Sequence, residues 1–381
     1  LMIGRIQRGS IRRLQDCTLC GEEGHTENFR VTAVQSFDIL ATTEVPDAKA
    51  GEIVIVSGCD NAKIGDTICS LNRPDPLPRI YIEPPTVSVE ASVNTSPLSG
   101  KEGTYLTSRK LEEFLQESCR LNVALQYTPT SDPKVFILKG RGEMQLAIVF
   151  EELRRQGYEL MIARPQVLMK TDENGQQLEP FEKLVLDIPT NFMGVVTEKL
   201  SNRKGKLDHI TPLGDDRVRM EFVIPSRALI GYRGTFLTDT RGAGLMSALF
   251  LGYMPYAGDM LSRQNGAIVS DRHGKATPYA LFLLLPNGQQ FIRPGDLVYE
   301  GMVIGEHTKK NDTNVNCCRE KHLSSVRTAG KDTNVILPPI QPLSLEKAIE
   351  WIDEDEWIEI TAKNIRIRKK ILSSNQRTVI R

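Results

Sequence analysis

The sequence lacks both a long apolar run and a net charge. No stretch approaches the roughly 20 apolar residues of a membrane-spanning helix, and no charged-then-apolar leader stands at its start. Its 48 Lys and Arg residues are balanced by 48 Asp and Glu residues. The net charge therefore gives no indication of nucleic-acid binding, and any such binding must come from local basic patches. We expect a cytoplasmic protein with no membrane partner.

The motifs of common enzyme classes are missing as well. The glycine-rich stretch "RGTFLTDTRGAG" has no lysine of a phosphate-binding loop. No G-x-S-x-G nucleophile elbow occurs, and the five histidines do not have the H-E-x-x-H spacing of a zinc protease. We predict no catalytic, cofactor-binding or metal-binding residue in this chain.

The seven cysteines include one arrangement that resembles a metal site. An odd number scattered along the chain does not form a disulfide framework and is typical of reduced thiols in the cytosol. Cys17, Cys20 and His25 have the spacing C-x2-C-x4-H of three zinc-knuckle ligands. Structural zinc needs a fourth ligand, but Arg30 stands there and a cation repels the metal. We interpret the segment as a turn between strands; a zinc-dependent RNA-binding protein is the alternative.

Residue patterns predict four domains and a multidomain α+β class, since one hydrophobic core rarely serves 381 residues. Residues 1–80 contain short β-branched runs between Gly, Asp and Asn residues, which is typical of a small β-barrel. The stretch "NRPDPLPRIYIEPP" then predicts an extended linker, because proline lacks the N–H that a β-ladder requires. Residues 84–170 and 178–260 each predict the order βαββαβ, which indicates two tandem ferredoxin-like domains.

The last predicted domain, residues 261–381, is β-rich with one helix and a long loop. Within the preceding domain, "SRALIGYRGTFLTDTRG" predicts a single helix. After it, "TPYALFLLLP" predicts a strand and "PLSLEKAIEWIDEDE" an amphipathic helix. In "NIRIRKKIL", isoleucines alternate with arginines, which predicts a strand with one basic face.

A polar loop at residues 307–335 is the main candidate for a functional site. A segment this long with little apolar content needs a partner to become ordered. Its Lys and Arg side chains suit phosphates, and its Asn side chains suit bases or the 2′-hydroxyl of RNA. Cys317 and Cys318 in its middle have no assigned role. The candidate RNA-binding residues of this loop and of the second βαββαβ domain are Lys309, Lys310, Asn311, Asn314, Arg319, Lys321, Arg327, Arg233 and Arg241.

Several stretches resemble the translational GTPases. "IGRIQRGSIRRLQ" is similar to the first strand of their barrel domain II, and "LKGRGEMQLAIVFEELRRQGYELMIARPQV" to the end of their domain III. "FVIPSRALIGYRGTFLTDTRGAGLMS" and "NIRIRKKIL" resemble the BipA/TypA branch of that family in particular. The resemblance covers essentially the whole chain, with residues 178–260 similar to domain V, the C-terminal type of elongation factor G.

The resemblance implies a ribosome-binding protein that docks at the ribosomal factor site. Its partners would be rRNA, ribosomal proteins and A-site tRNA, reached through the loop at residues 307–335, and the protein would be a monomer. The family binds GTP and Mg²⁺ in a separate N-terminal domain. Because Leu1 opens directly on a strand pattern, we expect residue 1 not to be the natural start. The phosphate loop and the guanine-reading motif of that domain do not occur in the sequence, so we expect the domain to be absent and this chain to hold no cofactor and no GTPase activity of its own. A third interpretation, from another class, is a regulatory protein whose ferredoxin-like domains sense small molecules.

Overall fold

The computed structural model describes residues 1–38, 41–79, 84–214, 216–260, 263, 265–320, 337–340 and 343–377, without the side chain of Glu23. The chain forms two compact units, which we call the N-terminal unit (Leu1–Glu83 with Arg120–Val123) and the C-terminal unit (Pro84–Cys119 with Ala124–Arg381). Within the described ranges, the helices are too short or too polar to cross a membrane. The four predicted domains stay predictions; the last three lie in the C-terminal unit except for residues 120–123.

The N-terminal unit consists of short antiparallel strands around a small apolar core. Its strands are β1 (Met2–Arg5), β2 (Ser10–Arg12), β3 (Asp16–Cys20), β4 (Thr26–Arg30), β5 (Ala33–Asp38), β6 (Ala41–Glu44), β7 (Asp47–Lys49), β8 (Ile53–Ser57) and β9 (Thr67–Ser70). They pair in three sheets with the orders β1-β8-β5-β6, β2-β7 and β4-β3-β9. Val31, Val34 and Val56 lie in the core that these sheets enclose. Closure into a barrel stays a prediction.

The proline-rich stretch after β9 was predicted to be a linker, and its residues 74–79 lie against the N-terminal unit. Arg79 forms an ion pair of 2.7 Å with Asp66, whose side chain is 6% exposed. Pro74, Pro76 and Leu77 line one side of a cavity of about 420 Å³ that also borders the β3–β4 hairpin. Residues 74–79 therefore belong to this unit, while residues 80–83 lie outside the described part.

The C-terminal unit begins with one βαββαβ segment. Its elements are β10 (Val87–Val93), α1 (Ser108–Leu121), β11 (Gln126–Pro129), β12 (Val135–Gly140), α2 (Glu143–Arg155), β13 (Leu160–Ile162) and the short β14 (Gln166–Val167). The strands lie in the order β11-β12-β10-β13, all antiparallel. Leu115 of α1 and Phe150 of α2 are fully buried in the apolar cluster with the sheet, because the apolar residues of each helix recur on one face.

A second βαββαβ segment follows and forms a separate sheet. Its elements are β15 (Lys170–Thr171), β16 (Gln177–Pro189), α3 (Met193–Asn202), β17 (Lys206–Leu213), β18 (Arg217–Pro225), α4 (Ser226–Leu229), α5 (Tyr232–Asp239) and β19 (Leu245–Pro255). β16 lies between β18 and β19, and β17 pairs with β18. The prediction of one helix over residues 226–242 was wrong. Two helices form instead, because the chain turns at Gly231, whose φ of +72° is costly for a residue with a side chain.

The remaining strands belong to the C-terminal part of the sequence. The elements are β20 (Ala267–Ser270), β21 (Gly274–Lys275), α6 (Pro278–Leu284), β22 (Gly288–Gln290), β23 (Leu297–Val298), β24 (Met302–His307), β25 (Thr313–Val315), α7 (Leu345–Trp351), β26 (Glu356–Ile360) and β27 (Ile365–Lys369). The strand predicted in "TPYALFLLLP" is the helix α6. Thr277 caps it by accepting a hydrogen bond of 3.2 Å from the Ala280 amide, and Pro278 occupies the first turn, where its missing N–H is harmless.

One continuous sheet of eleven strands joins the first βαββαβ segment to these C-terminal strands. Its path is β11-β12-β10-β13-β26-β27-β24-β20-β25, with β14 beside β10 and β22 beside β24. The junction is the antiparallel pair β13–β26, where Leu160 lies opposite Ile360 and Ile162 opposite Ile358. A single apolar cluster includes residues of both parts. The mixed α+β class is confirmed, and residues predicted to form two separate domains share a sheet.

Candidate nucleic-acid interface

Residues 308–312, which we call the lysine turn, connect β24 to β25 and carry Lys309 and Lys310. The turn is anchored where it leaves β24. His307 is buried, its ring nitrogen Nδ1 lies 2.8 Å from the Asn311 carbonyl oxygen, and its backbone N–H donates to the Gly266 carbonyl. Lys309 also accepts a hydrogen bond of 2.7 Å from the Gly266 amide through its backbone carbonyl. The backbone of the turn is thereby fixed.

Asp312 anchors the other end of the turn. Its carboxylate accepts a hydrogen bond of 2.7 Å from the Ala267 amide and forms an ion pair of 2.5 Å with Lys369. Lys369 is 2% exposed and is also paired with Asp355 and Glu356. Burial raises the pKa of Asp312, but the Lys369 ammonium and the Ala267 amide lower it more, so that its net pKa is below its usual value. The carboxylate is thus ionised at neutral pH and holds the turn in place.

Gly266 permits the close approach of the lysine turn to β20. A Cβ atom on Gly266 would lie 2.4 Å from the carbonyl carbon and oxygen of Asn311 and 2.8 Å from the Asp312 amide nitrogen. A side chain there would therefore push the turn away. Sequence reasoning missed Gly266 and Asp312, because the strand and the turn that they join are 45 residues apart.

The anchored turn leaves its two lysine side chains exposed to solvent. Lys309 and Lys310 are exposed, as is Asn311. Among the described residues, neither lysine forms an ion pair, whereas Lys369 nearby has three acidic partners. Two adjacent cations on a fixed backbone, unneutralised by the described part of the chain, can contact phosphates without first ordering the segment that carries them.

The prediction of one long loop over residues 307–335 was wrong for its first part. Thr313–Val315 forms β25, which pairs in parallel with β20 and leaves Asn314 exposed. Cys317 is fully buried, and its carbonyl accepts a hydrogen bond of 3.0 Å from the Thr277 amide. Burial raises the pKa of its thiol to about 11. Cys317 is therefore an apolar anchor of the segment, and its depth in the core was not visible in a polar stretch of sequence.

Arg319 is the last candidate of this segment that the structure describes. Its side chain is exposed, and its carbonyl accepts a hydrogen bond of 2.5 Å from the Thr277 hydroxyl. Lys321 and Arg327 lie outside the described residues. Arg233 lies in the first turn of α5 and Arg241 lies two residues after its end, and both are exposed. Tyr232 and Phe236 of this helix belong to the apolar cluster of the other sheet. The structure thus groups Lys309, Lys310 and Asn311 in one turn. Arg233 and Arg241 lie apart from them, beside the sheet of the second βαββαβ segment.

Several other cations of the C-terminal unit are buried and structural. Arg227 pairs at 2.5 Å with Glu179, which is fully buried, and Arg203 donates to the Ala228 and Ile230 carbonyls. The basic face predicted for residues 365–369 was wrong. Arg366 pairs with Glu102 and Glu359, and Arg368 is 6% exposed. The alternation of isoleucine and arginine there reflects two buried faces, because β27 lies inside the eleven-stranded sheet.

The zinc-knuckle-like segment forms the β3–β4 hairpin, with a tight turn at Glu22–Gly24. Cys17 and Cys20 are buried in β3 at positions three apart, so their side chains point to opposite faces of the strand. His25 is exposed, and the Arg30 guanidinium donates to the Leu14 carbonyl. Within the ranges that the structure describes, no three His, Cys, Asp or Glu side chains are grouped to hold a metal ion.

Comparison with known families assigns the second βαββαβ segment and the C-terminal strands to two different family models. Residues 176–264, which include β16 to β19, match the elongation factor G C-terminus. Residues 265–374, which include the lysine turn, match the TypA/BipA C-terminal domain. The two matches adjoin, and one of them is named after a translation elongation factor.

Curated relatives match nearly the whole chain. Proteins named large ribosomal subunit assembly factor BipA are 40% identical to it in Bacillus subtilis, 43% in Haemophilus influenzae and 41% in Escherichia coli K12, each over 376 residues or 98% of this chain. The chain belongs to the BipA/TypA family.

The chain spans 61% to 62% of the length of these relatives. This coverage corrects the prediction that the GTP-binding domain is absent. The match covers only part of each relative's length. The position at which this sequence begins therefore does not show which domains the whole protein has.

Proposed function

We propose that this chain is a ribosome-binding part of a translation factor and that the lysine turn contacts ribosomal RNA. The relatives are named as assembly factors of the large ribosomal subunit, so the large subunit is the first partner to test. The proposal further includes docking at the ribosomal factor site, contact with A-site tRNA and ribosomal proteins, a monomeric state, a cytoplasmic location and no cofactor bound by these residues.

The observation that carries the proposal is the contrast between Lys309 and Lys310 and the other cations of the unit. Arg203, Arg227 and Lys369 are engaged by internal acceptors. The two turn lysines are exposed on a backbone that His307 and Asp312 fix. A rigid pair of unneutralised cations is suited to phosphate, whose contacts dominate binding to nucleic acid. Among the described residues, no comparable group of side chains supports the zinc-dependent RNA-binding protein or the small-molecule-sensing regulatory protein.

Reversing both turn lysines is the test. The double variant Lys309→Glu, Lys310→Glu should lower co-sedimentation with purified large ribosomal subunits, and the loss should be greater at low salt. Each phosphate contact removed reduces the slope of log affinity against log salt by about 0.7 to 0.9. The matched control is Lys134→Glu, Lys363→Glu, which changes the net charge by the same amount at two exposed lysines. Equal binding by both double variants would overturn the role of the lysine turn.

A further inference from the structure

The helix α6 exposes an apolar face to solvent. Leu281 and Leu284 are buried in an apolar cluster, whereas Phe282 is 45% exposed and Leu283 is 47% exposed. Tyr279, one helical turn before Phe282, is half-buried. A surface helix normally presents polar residues to solvent, and an exposed apolar patch marks a binding surface. We call Tyr279, Phe282 and Leu283 the α6 platform, and it is a candidate binding surface.

The lysine turn borders the C-terminal end of this helix. The chain continues from α6 into a single 3₁₀ turn, Leu285–Asn287. The Asn287 carbonyl accepts a hydrogen bond of 2.9 Å from the amide of Thr308, the first residue of the lysine turn. Lys309 and Lys310 therefore lie beside the end of the α6 platform.

Arg319 lies at the opposite end of the helix. Thr277, which caps α6, donates from its hydroxyl to the Arg319 carbonyl at 2.5 Å and from its amide to the Cys317 carbonyl at 3.0 Å. The Arg319 side chain is exposed. Residues 278–287 span about 15 Å at the rise of a helix. The exposed apolar residues of α6 therefore lie between two groups of exposed cations.

This order of cation, aromatic ring and cation is typical of surfaces that bind single-stranded nucleic acid. The cations contact phosphates, and a base stacks on the ring between them. In a double helix the bases stack on one another, so a side-chain ring can stack only on an unpaired base that has left the helix. An apolar surface of a partner protein would leave the three cations without acceptors, whereas an RNA strand satisfies both the cations and the ring.

From this arrangement we propose that the α6 platform stacks an unpaired base of ribosomal RNA on Phe282, while the lysine turn at one end and Arg319 at the other bind phosphates of the same strand. The inference rests on the proposed function, in which the lysine turn contacts ribosomal RNA. It adds the class of RNA, which is a single-stranded segment and not a helix.

Binding of the whole chain to a short unstructured RNA strand, and to the duplex of that strand with its complement, tests the platform by fluorescence anisotropy. The unaltered protein should bind the single strand more tightly. Phe282→Ala should weaken this binding about 5- to 150-fold, the effect of losing one base stacked on an aromatic ring. Its binding to the duplex and its salt dependence should not change, because stacking releases no counterions.

Two further variants and a control separate stacking from other effects. Phe282→Trp keeps an aromatic ring and should bind the single strand as the unaltered protein does, whereas Phe282→Leu keeps an apolar side chain and should bind it more weakly. Phe37→Ala is the matched control, because Phe37 is also 45% exposed but lies on β5. It should bind both RNAs as the unaltered protein does, and urea denaturation should show that all variants are folded.

Chemical probing of purified large ribosomal subunits without tRNA identifies the RNA. The unaltered protein should protect an unpaired base of ribosomal RNA from base-specific modification. Phe282→Ala should lose that protection while it still co-sediments with the subunits through the lysine turn. Protection that appears only on added tRNA would overturn the assignment to ribosomal RNA.

The platform is refuted if the unaltered protein binds strand and duplex equally or binds neither, or if Phe282→Ala or Phe282→Leu binds the strand as the unaltered protein does. The last result with Phe282→Leu would mean that an apolar surface alone, as for a protein partner, is sufficient. In each case the proposed function stands if the double variant of Lys309 and Lys310 still loses co-sedimentation. It fails separately if that double variant co-sediments as the unaltered protein does.

Discussion

Single acidic residues of the C-terminal unit respond to pH in opposite directions, according to their partners. Glu151 on α2 accepts hydrogen bonds from Arg154 at 2.7 Å and 2.8 Å and from Arg155 at 2.9 Å. These bonds, those from Arg154 first, lower its pKa from 4.5 to about 2. Glu143, at the start of the same helix, is half-buried against α5, and desolvation raises its pKa. One helix thus carries one carboxyl group stabilised as the anion and one stabilised as the acid.

Glu151→Gln should therefore lower the free energy of unfolding by about 1 kcal/mol at pH 7, the upper end for a partly exposed ion pair. Because the pKa of Glu151 is lowered in the folded state, its contribution is present above pH 4.5 and is lost as the pH falls toward 2. Urea denaturation at pH 7 and pH 3 measures the difference. Glu152→Gln, at the next and exposed position, should change stability little at either pH; an equal effect of both variants would contradict the prediction.

The elements predicted from sequence were those with a clear period. In α1 and α2 the apolar residues recur on one face, and both helices form within residues 84–170 in the order βαββαβ that the pattern predicts. The α6 segment has apolar residues on every side, with Phe282 and Leu283 exposed while Leu281 and Leu284 are buried. A short apolar run does not distinguish strand from helix. Its decisive signal was the Thr-Pro pair at residues 277–278, a helix start that periodicity ignores.

The contribution of this helix cap to stability can be measured by substituting Thr277. Its hydroxyl accepts from the Ala280 amide and donates to the Arg319 carbonyl, so it joins α6 to the segment that follows β25. Thr277→Ala should lower the free energy of unfolding by about 1 to 2 kcal/mol, the cost of a lost helix cap. Thr277→Ser keeps the hydroxyl and should lose much less. Equal losses for both variants in urea denaturation would show that the methyl group, and not the cap, stabilises this region.

At the scale of the molecule, the sequence predicted the candidate lysines but not what fixes them. Lys309, Lys310 and Asn311 stood out by residue type. The anchors Gly266, His307 and Asp312 become visible only once β20 and β24 are paired. The β13–β26 junction likewise could not be predicted from local patterns, because Leu160 and Ile360 are 200 positions apart. Local patterns predict elements, whereas pairings between distant strands depend on the packing of the whole chain.

The continuous sheet predicts that strands β10 to β13 unfold together with strands β20, β24, β26 and β27. Ile360 is fully buried at the junction of the two parts. Ile360→Ala should lower the free energy of unfolding by about 2 to 5 kcal/mol, since it leaves a cavity in the shared core. Ile148→Ala is the control, because Ile148 is 65% exposed on α2. In hydrogen exchange, Ile360→Ala should reduce protection in β10 and in β24 by the same factor, since one cooperative opening exposes both strands. A loss confined to one of these strands would mean that the two parts unfold separately and that the β13–β26 pairing joins them without coupling their stability.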